Sequence, residues 1–198
     1  MLETTPASSR KQQILEALAK LLEGSPDIRI TTALLARAVG VSEAALYRHF
    51  PSKTRMYEDL VAFAEEALFS RLRAIAEEPI TTEEYGYKSL LLVLGFFERN
   101  PGIARLVTGE AISGEPVRLH RRISQLFDRL ETELRQRLRD GEFNEGLKLR
   151  DTRTTCASVL MAFIEGRIRQ FVRSDFTRSM TPEWQSEWAL LRQALFAA

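Results

Sequence analysis

The sequence predicts an all-α fold, on three observations. Apolar residues recur at three- and four-residue steps along nearly the whole chain. Ser, Thr, Gly and Pro punctuate those runs where helices would begin and end, and no stretch sustains the alternation of a half-buried strand. Ile14, Leu15, Leu18, Leu21 and Leu22 make one face of a first helix, which stops near Gly24-Ser25-Pro26. Thr31 and Thr32 can cap a short second helix to about Val39, closed by Gly40. Ser42 can cap a third, ended by Phe50-Pro51-Ser52. Ser52 caps a long fourth through about Glu78, with Met56, Leu60, Phe63, Ala67 and Leu72 on one side. Thr81-Thr82-Glu83-Glu84 reads as a capping box for a fifth helix that ends at Asn100-Pro101-Gly102. A short sixth stops around Gly109. Pro116–Arg139 carries Leu119, Ile123, Leu126, Leu130, Leu134 and Leu138, a seventh helix closed by Gly141. Asp151 caps an eighth to about Arg173, and Thr181-Pro182 starts a ninth with Trp184, Trp188, Leu191 and Leu195.

Composition bounds the rest. The 198 residues are 44% hydrophobic and 28% charged, enough to bury a core and far from the composition of a disordered chain. No apolar run approaches the roughly 18 residues that span a bilayer. The opening MLETTPASSRKQQ lacks the apolar stretch of a signal peptide. Cys156 stands alone, which excludes an internal disulfide framework and a cysteine-based zinc cluster. A cytoplasmic protein is the expectation. The net charge of +1 hides an asymmetry: residues 10–55 hold Arg10, Lys11, Lys20, Arg29, Arg37, Arg48, Lys53 and Arg55 against Glu16, Glu23, Asp27 and Glu43. The positive end is the N-terminal one.

That end holds the most informative segment. In RITTALLARAVGVSEAALYRHF (29–50), two short helices meet at Gly40-Val41, which is helix-turn-helix spacing; the glycine permits the positive φ of a tight turn. Leu35, Ala36 and Val39, with Val41, Ala45 and Leu46, supply the small core that sets the crossing. Ser42, Glu43, Ala44, Tyr47, Arg48 and His49 are left facing outward, short side chains first and long polar ones after, as a helix entering the major groove requires. Lys53, at the start of the fourth helix, adds a cation to free backbone N–H groups and suits a phosphate. Thr31 and Thr32 offer hydroxyls on the other flank, and Arg10-Lys11 are placed on an N-terminal arm. The competing reading is an ordinary helical hairpin; the local charge and the Tyr47-Arg48-His49 cluster favour double-stranded DNA.

The run ITTALLARAVGVSEAALYRHFPSKTRMYEDL (30–60) resembles the DNA-binding domain of the TetR family. It carries that family's LYxHFxxKxxL signature at Leu46, Tyr47, His49, Phe50 and Lys53, with Leu60 in place of the usual nearer hydrophobic residue. VSEAALYRHFPSKTRM (41–56), LLLVLGFFERNPGIARLVTG (90–109), ISQLFDRLETELRQRLR (123–139) and EGRIRQFVRSDF (165–176) further resemble the nucleoid occlusion branch of the family. The resemblance implies a homodimer on a palindromic chromosomal site, associated with the nucleoid, that blocks septation by binding the C-terminal tail of FtsZ. It also implies a division into residues 1–52, the DNA-binding part, and 53–198, the part for dimerisation and FtsZ. Carried onto this sequence, the FtsZ-binding positions are Phe63, Arg71, Leu92, Gly95, Arg99 and Asn100. Periodicity alone assigns Phe63 and Leu92 to the core instead. In a TetR-like fold the eighth and ninth helices pair with their copies as a four-helix bundle, so Phe163, Phe171, Trp184, Trp188 and Leu191 become candidate dimer contacts.

Other chemistry is not indicated. His49 and His120 lie far apart, and His120 sits in the basic run Arg118–Arg122. No phosphate-binding glycine loop, HExxH or paired carboxylate in apolar sequence occurs, so neither catalysis nor a metal or cofactor is expected. Cys156 reads as a buried small hydrophobe. GRIRQFVRS (166–174) reads as a solvated basic face. The runner-up function is a TetR-type repressor with a small apolar ligand, walled by Leu90–Phe97, Val107 and Phe163.

Overall fold

The computed structural model describes residues 9–24, 30–112 and 114–197. Ser25, Pro26, Asp27 and Arg29, invoked above, lie outside the described residues. The elements are α1 (Arg10–Leu22), α2 (Thr32–Val39), α3 (Glu43–His49), α4 (Lys53–Ala76), α5 (Thr82–Arg99), α6 (Pro101–Val107), a 3-10 turn (Glu110–Ile112), α7 (Val117–Asn144), α8 (Arg153–Arg173) and α9 (Trp184–Leu195). Among the described residues, extended pairing is confined to one bridge, Leu149 with Phe196. The all-α expectation holds.

Local chemistry explains most helix ends. Thr31 accepts from the Leu34 N–H at 3.1 Å, Ser42 from Ala45 at 3.2 Å and Ser52 from Arg55 at 3.1 Å, each satisfying a donor that has no partner inside its own helix. At α5 the capping box is complete: Thr81 takes the Glu84 N–H, and the Glu84 carboxylate takes the Thr81 N–H at 3.0 Å. Gly40, at φ 73°, closes α2, with the Val41 N–H returning to the Ala36 carbonyl at 2.9 Å.

Other boundaries correct the expectations. Gly141 does not close α7, which runs on to Asn144. A Cβ at Gly141 would stand 2.5 Å from the Thr82 hydroxyl oxygen, so this glycine serves the close approach of α5, and the chain turns at Gly146, φ 69°. Asp151 does not cap α8; Thr152 does, accepting from Thr155 at 3.2 Å, while Asp151 accepts from the Thr152 N–H. α9 begins after Thr181-Pro182, at Trp184, without a side-chain cap. Arg10 and Lys11 are not on an arm. They form the first turn of α1, where Lys11 Nζ reaches Asp59 Oδ2 of α4 at 2.6 Å.

The core is continuous from end to end. Ile14, Leu18, Leu35, Leu46, Phe50, Met56 and Leu60 bind α1, α2 and α3 to the N-terminal half of α4, and Leu68, Leu94, Leu126, Leu134, Leu160 and Ile164 join α4, α5, α7 and α8. The buried side of α4 is Met56, Leu60, Ala64, Leu68 and Leu72. Phe63 departs from the expected stripe: at about 100° per residue it lies a quarter turn from Ala64, and it is 46% exposed. α9 folds back on α5. Trp184 (2% exposed) and Trp188 (7%) stack 5.7 Å apart, Tyr87 lies 5.7 and 6.1 Å from them, and Gly86 leaves room beneath the Trp188 ring. Phe171 is equally buried, 5.2 Å from Phe176. Phe171, Trp184 and Trp188 therefore pack into this chain's own core and do not form the exposed stripe that the sequence suggests; Phe163 and Leu191 are half-buried against the same core. The ninth helix turned inward because Gly86 and Tyr87 offer it a seat, which its own sequence does not reveal.

Candidate nucleic-acid interface and partner groove

Two surfaces gather the sequence-derived candidates. The first is the face of α2 and α3. Ser42, Glu43, Ala44, Tyr47, Arg48 and His49 are all exposed along α3, with Thr31 exposed and Thr32 half-exposed beside them. Beneath them Leu46 and Phe50 are fully buried, each contributing about 2 kcal/mol to holding the helix in place. The Thr32 hydroxyl donates to Glu43 Oε2 at 2.6 Å and ties the first turns of α2 and α3 together. Arg48, His49 and Tyr47 form no hydrogen bond or ion pair among the described residues, so their polar ends are available to a ligand; Arg37, exposed at the end of α2, is equally available and was missed as a site residue, although it was counted in the local charge.

Lys53 differs from the rest of this group. Its ammonium is half-buried, 3.1 Å from Glu115 Oε1 and 5.3 Å from the centre of the Tyr57 ring, and Glu115 also takes the Thr54 hydroxyl at 2.8 Å. The residue placed against a phosphate by sequence is here held by a carboxylate from the segment before α7. Sequence spacing could not show this, because the pairing spans some sixty residues.

The second surface is an open groove of about 700 Å³ between α4 and α5, with Leu91, Leu92, Gly95 and Ile75 on its floor and Lys88, Glu78, Glu98, Arg99 and Thr181 on its rim. Leu92, Gly95 and Arg99 are thus brought together. Arg71 sits on α4 one turn before Ile75 and on nearly the same side, whereas Phe63, twelve residues before Ile75, points about a third of a turn away from it; neither Phe63 nor Arg71 lines the groove itself. Phe63 is exposed as an anchor would be, against its periodicity; Leu92 is half-buried. Gly95 is buried, and a Cβ there would lie 3.1 Å from a guanidinium nitrogen of Arg99, so the glycine gives that side chain its resting place. Arg71 and Arg99 form no ion pair among the described residues, whereas Lys88 is paired with Glu78 at 2.5 Å and Glu98 is held by Ser179, Met180 and Thr181. Asn100 is turned inward instead, its Nδ2 donating to the Phe96 carbonyl at 2.7 Å, where it joins α5 to α6. Ile75, Leu91 and Lys88 were missed. The stripe 88, 91, 92, 95, 98, 99 was readable from helical spacing, but Thr181 was not.

α7 is fastened to α4 by Glu65. Burial opposes ionisation of its carboxyl, but hydrogen bonds from Arg122 and Arg129 outweigh that and hold it below the usual carboxylate range. The apolar space enclosed by α4, α5, α7 and α8, lined by Leu72, Leu90, Val93, Leu134, Met161 and Ile164, has a volume of only about 10 Å³. Among the described residues no helix is long and apolar enough to cross a membrane.

Residues 12–60 match the sequence family of bacterial regulatory proteins of the tetR type, and residues 87–196 match a tetracyclin repressor-like C-terminal domain of the SlmA-like kind. The nucleoid occlusion factor SlmA of Marinomonas sp. is 49% identical over 188 residues, covering 95% of both chains. That of Marinobacter nauticus is 48% identical over 193 residues, covering 98% of this chain and 99% of the other. Among solved structures, the fatty acid degradation regulator FadR of Bacillus halodurans superposes with a TM-score of 0.81 over 94% of this chain and 96% of its own at 15% identity, a likeness of fold alone. The regulator PfmR of Thermus thermophilus gives 0.74 at 25% identity over 91% and 97%. The exposed face of α3 and the groove of α4 and α5 thus sit on the scaffold of a regulator rather than an enzyme, and the chain belongs to the nucleoid occlusion factor SlmA branch of the TetR family of helix-turn-helix DNA-binding proteins.

Proposed function

We propose that this protein is a DNA-activated antagonist of FtsZ assembly. As a homodimer it reads a palindromic chromosomal site through residues 1–52, and residues 53–198 join the two copies and hold the C-terminal tail of FtsZ. The observation that carries this reading is the groove of α4 and α5, where Leu92, Gly95 and Arg99 meet in one trough, with Arg71 one turn before Ile75 of its lining and Phe63 exposed farther back on α4. An acidic peptide with apolar side chains fits that chemistry: arginine forks for its carboxylates and Ile75, Leu91 and Leu92 for its hydrophobic anchors. Through DNA binding, the protein would be concentrated on the nucleoid, and septation would be blocked there.

The dimer contact falls on the outer face of α8, where Thr155, Ser158, Val159 and Ala162 are exposed at helical spacing and Phe163 is half-exposed beside them. Small and β-branched side chains allow two helices to approach closely, and a two-fold axis there would present two α3 helices to successive major grooves. A repressor with a small apolar ligand is disfavoured by the tightness of the space among α4, α5, α7 and α8, since about 10 Å³ admits no ligand-sized molecule.

The test is sedimentation of FtsZ polymers with this protein, with and without a palindromic duplex that it selects from a random-sequence library. Loss of pelleted polymer that requires the duplex is expected. Polymer that pellets equally in both conditions overturns the proposal.

A further inference from the structure

Glu98, on the rim of the groove, is fixed in place without a counter-ion among the described residues. The hydroxyls of Ser179 and Thr181 donate to it, the second at 2.8 Å, and the Met180 N–H does so at 3.4 Å. These donors are neutral, so they orient the carboxylate and leave its charge uncompensated. They also leave acceptor capacity, since a carboxylate offers about four lone-pair positions. The backbone that presents them is itself held. Buried Arg167 of α8 donates to the Met180 carbonyl at 3.1 Å, and its own charge is met by Glu187 at 3.5 Å. Arg99 follows Glu98 in sequence and so points about 100° away around α5. Its guanidinium lies by Gly95 rather than by Glu98, and the two form no ion pair. Leu91 lies on the Glu98 side of the floor and Leu92 on the Arg99 side. The trough therefore has a fixed anion along one edge, an unpaired cation along the other, and leucines between.

We infer that Glu98 receives a basic side chain of the bound peptide, so that the groove takes a segment bearing both signs instead of a merely acidic one. The inference rests on the reading of this groove as the site for the FtsZ tail. Holding Ser179 and Thr181 does not require a charge, because a neutral acceptor such as glutamine would satisfy both hydroxyls equally. An acidic residue of the peptide meets Arg99, a basic one meets Glu98, and apolar side chains cover Leu91 and Leu92. In an extended peptide successive side chains point to opposite sides, so the acidic and basic residues stand an odd number of positions apart. A carboxylate placed opposite Glu98 is repelled, which sets this residue against uniformly acidic segments. Arg99 supplies attraction and Glu98 supplies choice.

Fluorescence anisotropy on the full chain, with the selected duplex bound, tests this. The probes are the FtsZ C-terminal tail peptide and copies in which each Lys or Arg is changed in turn to Met. On the wild type, one of these changes should weaken binding by about fivefold or more, as loss of an ion pair in a partly enclosed groove requires. Glu98→Gln keeps an acceptor for Ser179 and Thr181, so its thermal unfolding should match the wild type. It should bind the unaltered tail about fivefold more weakly, and the critical Lys or Arg change should then cost less than about twofold. Glu98→Lys should reject the tail and recover it when that basic residue is replaced by Glu. Equal losses for every peptide on Glu98→Gln overturn the inference, as does a tail whose basic residues can all be changed without effect on the wild type. Wild-type protein that fails to bind the tail would instead remove the tail reading, and the pairing with it.

Discussion

The reading head and the partner groove use similar side chains but are built differently. The head is local: Thr31 to His49 provides its cap residues, its turn glycine, its core and its exposed polar face within about twenty residues, all fixed by short-range rules. The groove is assembled from α4, α5 and Thr181, and its electrostatics depend on who holds each charge. In the head, the one basic candidate that proved tied down, Lys53, is bound by a distant residue, Glu115. In the groove the rule is reversed. Lys88 and Glu78 are paired with each other and Glu98 is held by neutral donors, while Arg99 on its rim forms no ion pair among the described residues, nor does Arg71 one turn before Ile75. The proposed function relies on the charges that the fold leaves unpaired, and a local motif reveals those only when no remote partner intervenes.

Four substitutions probe that contrast, in falling order of effect. Trp188→Glu should damage the whole fold, because it places a charge under Tyr87 and Trp184 and opens a void over Gly86; a loss of roughly 3–5 kcal/mol is expected in a denaturant titration. A soluble, fully folded monomer would return Trp188 to the dimer interface. Arg48→Ala should weaken DNA binding by about 1–3 kcal/mol without altering stability, since the side chain has no intramolecular partner to lose; fluorescence anisotropy measures it, and an unchanged affinity would take α3 out of the groove of the duplex. Glu115→Gln should strengthen DNA binding several-fold and steepen its salt dependence by up to about 0.9, one phosphate's worth, as Lys53 is freed. Weaker binding would mean that the Glu115 clasp orients Lys53 rather than competing for it.

The smallest effect concerns pH. Burial pushes the Glu165 carboxyl above its usual range; Arg169 counters this, while Glu131 and Asp128 add to it. A raised folded-state value means the folded chain holds the proton more firmly than the unfolded one, so this group's contribution declines as pH rises through that interval. Glu165→Gln should therefore raise Tm slightly at pH 7 and by less at pH 4. An equal shift at both would assign the gain to something other than ionisation.

Nearly all of the helical architecture was legible. Thr31, Ser42, Ser52 and Thr81 were each identified as caps from their place before an apolar run, and each caps. The failures were tertiary. Gly141 looks like a helix stop until Thr82 is seen against it, and a tryptophan pair on one helical stripe looks like an interface until Gly86 and Tyr87 are seen to receive it. Periodicity alone puts Phe63 in the core, against the partner-binding place that the family resemblance implies, because a stripe at three- and four-residue steps drifts around a long helix, and the drift carries it to the solvent side. Arg105 gave no signal at all, since its value lies in carbonyls of α1 eighty residues away.

The central claim is that two separable surfaces serve one protein. It is tested most directly with Arg71→Asp, measuring on one preparation the affinity for the selected duplex and for an FtsZ C-terminal tail peptide. Arg71 is exposed on α4, beyond the part of that helix that supports α3, and has no ion pair among the described residues, so folding should not suffer. Tail binding should fall by at least tenfold, because a favourable pairing becomes repulsion, while DNA affinity should stay within about twofold. Tail binding at wild-type strength, or an equal loss on both surfaces, would contradict the account.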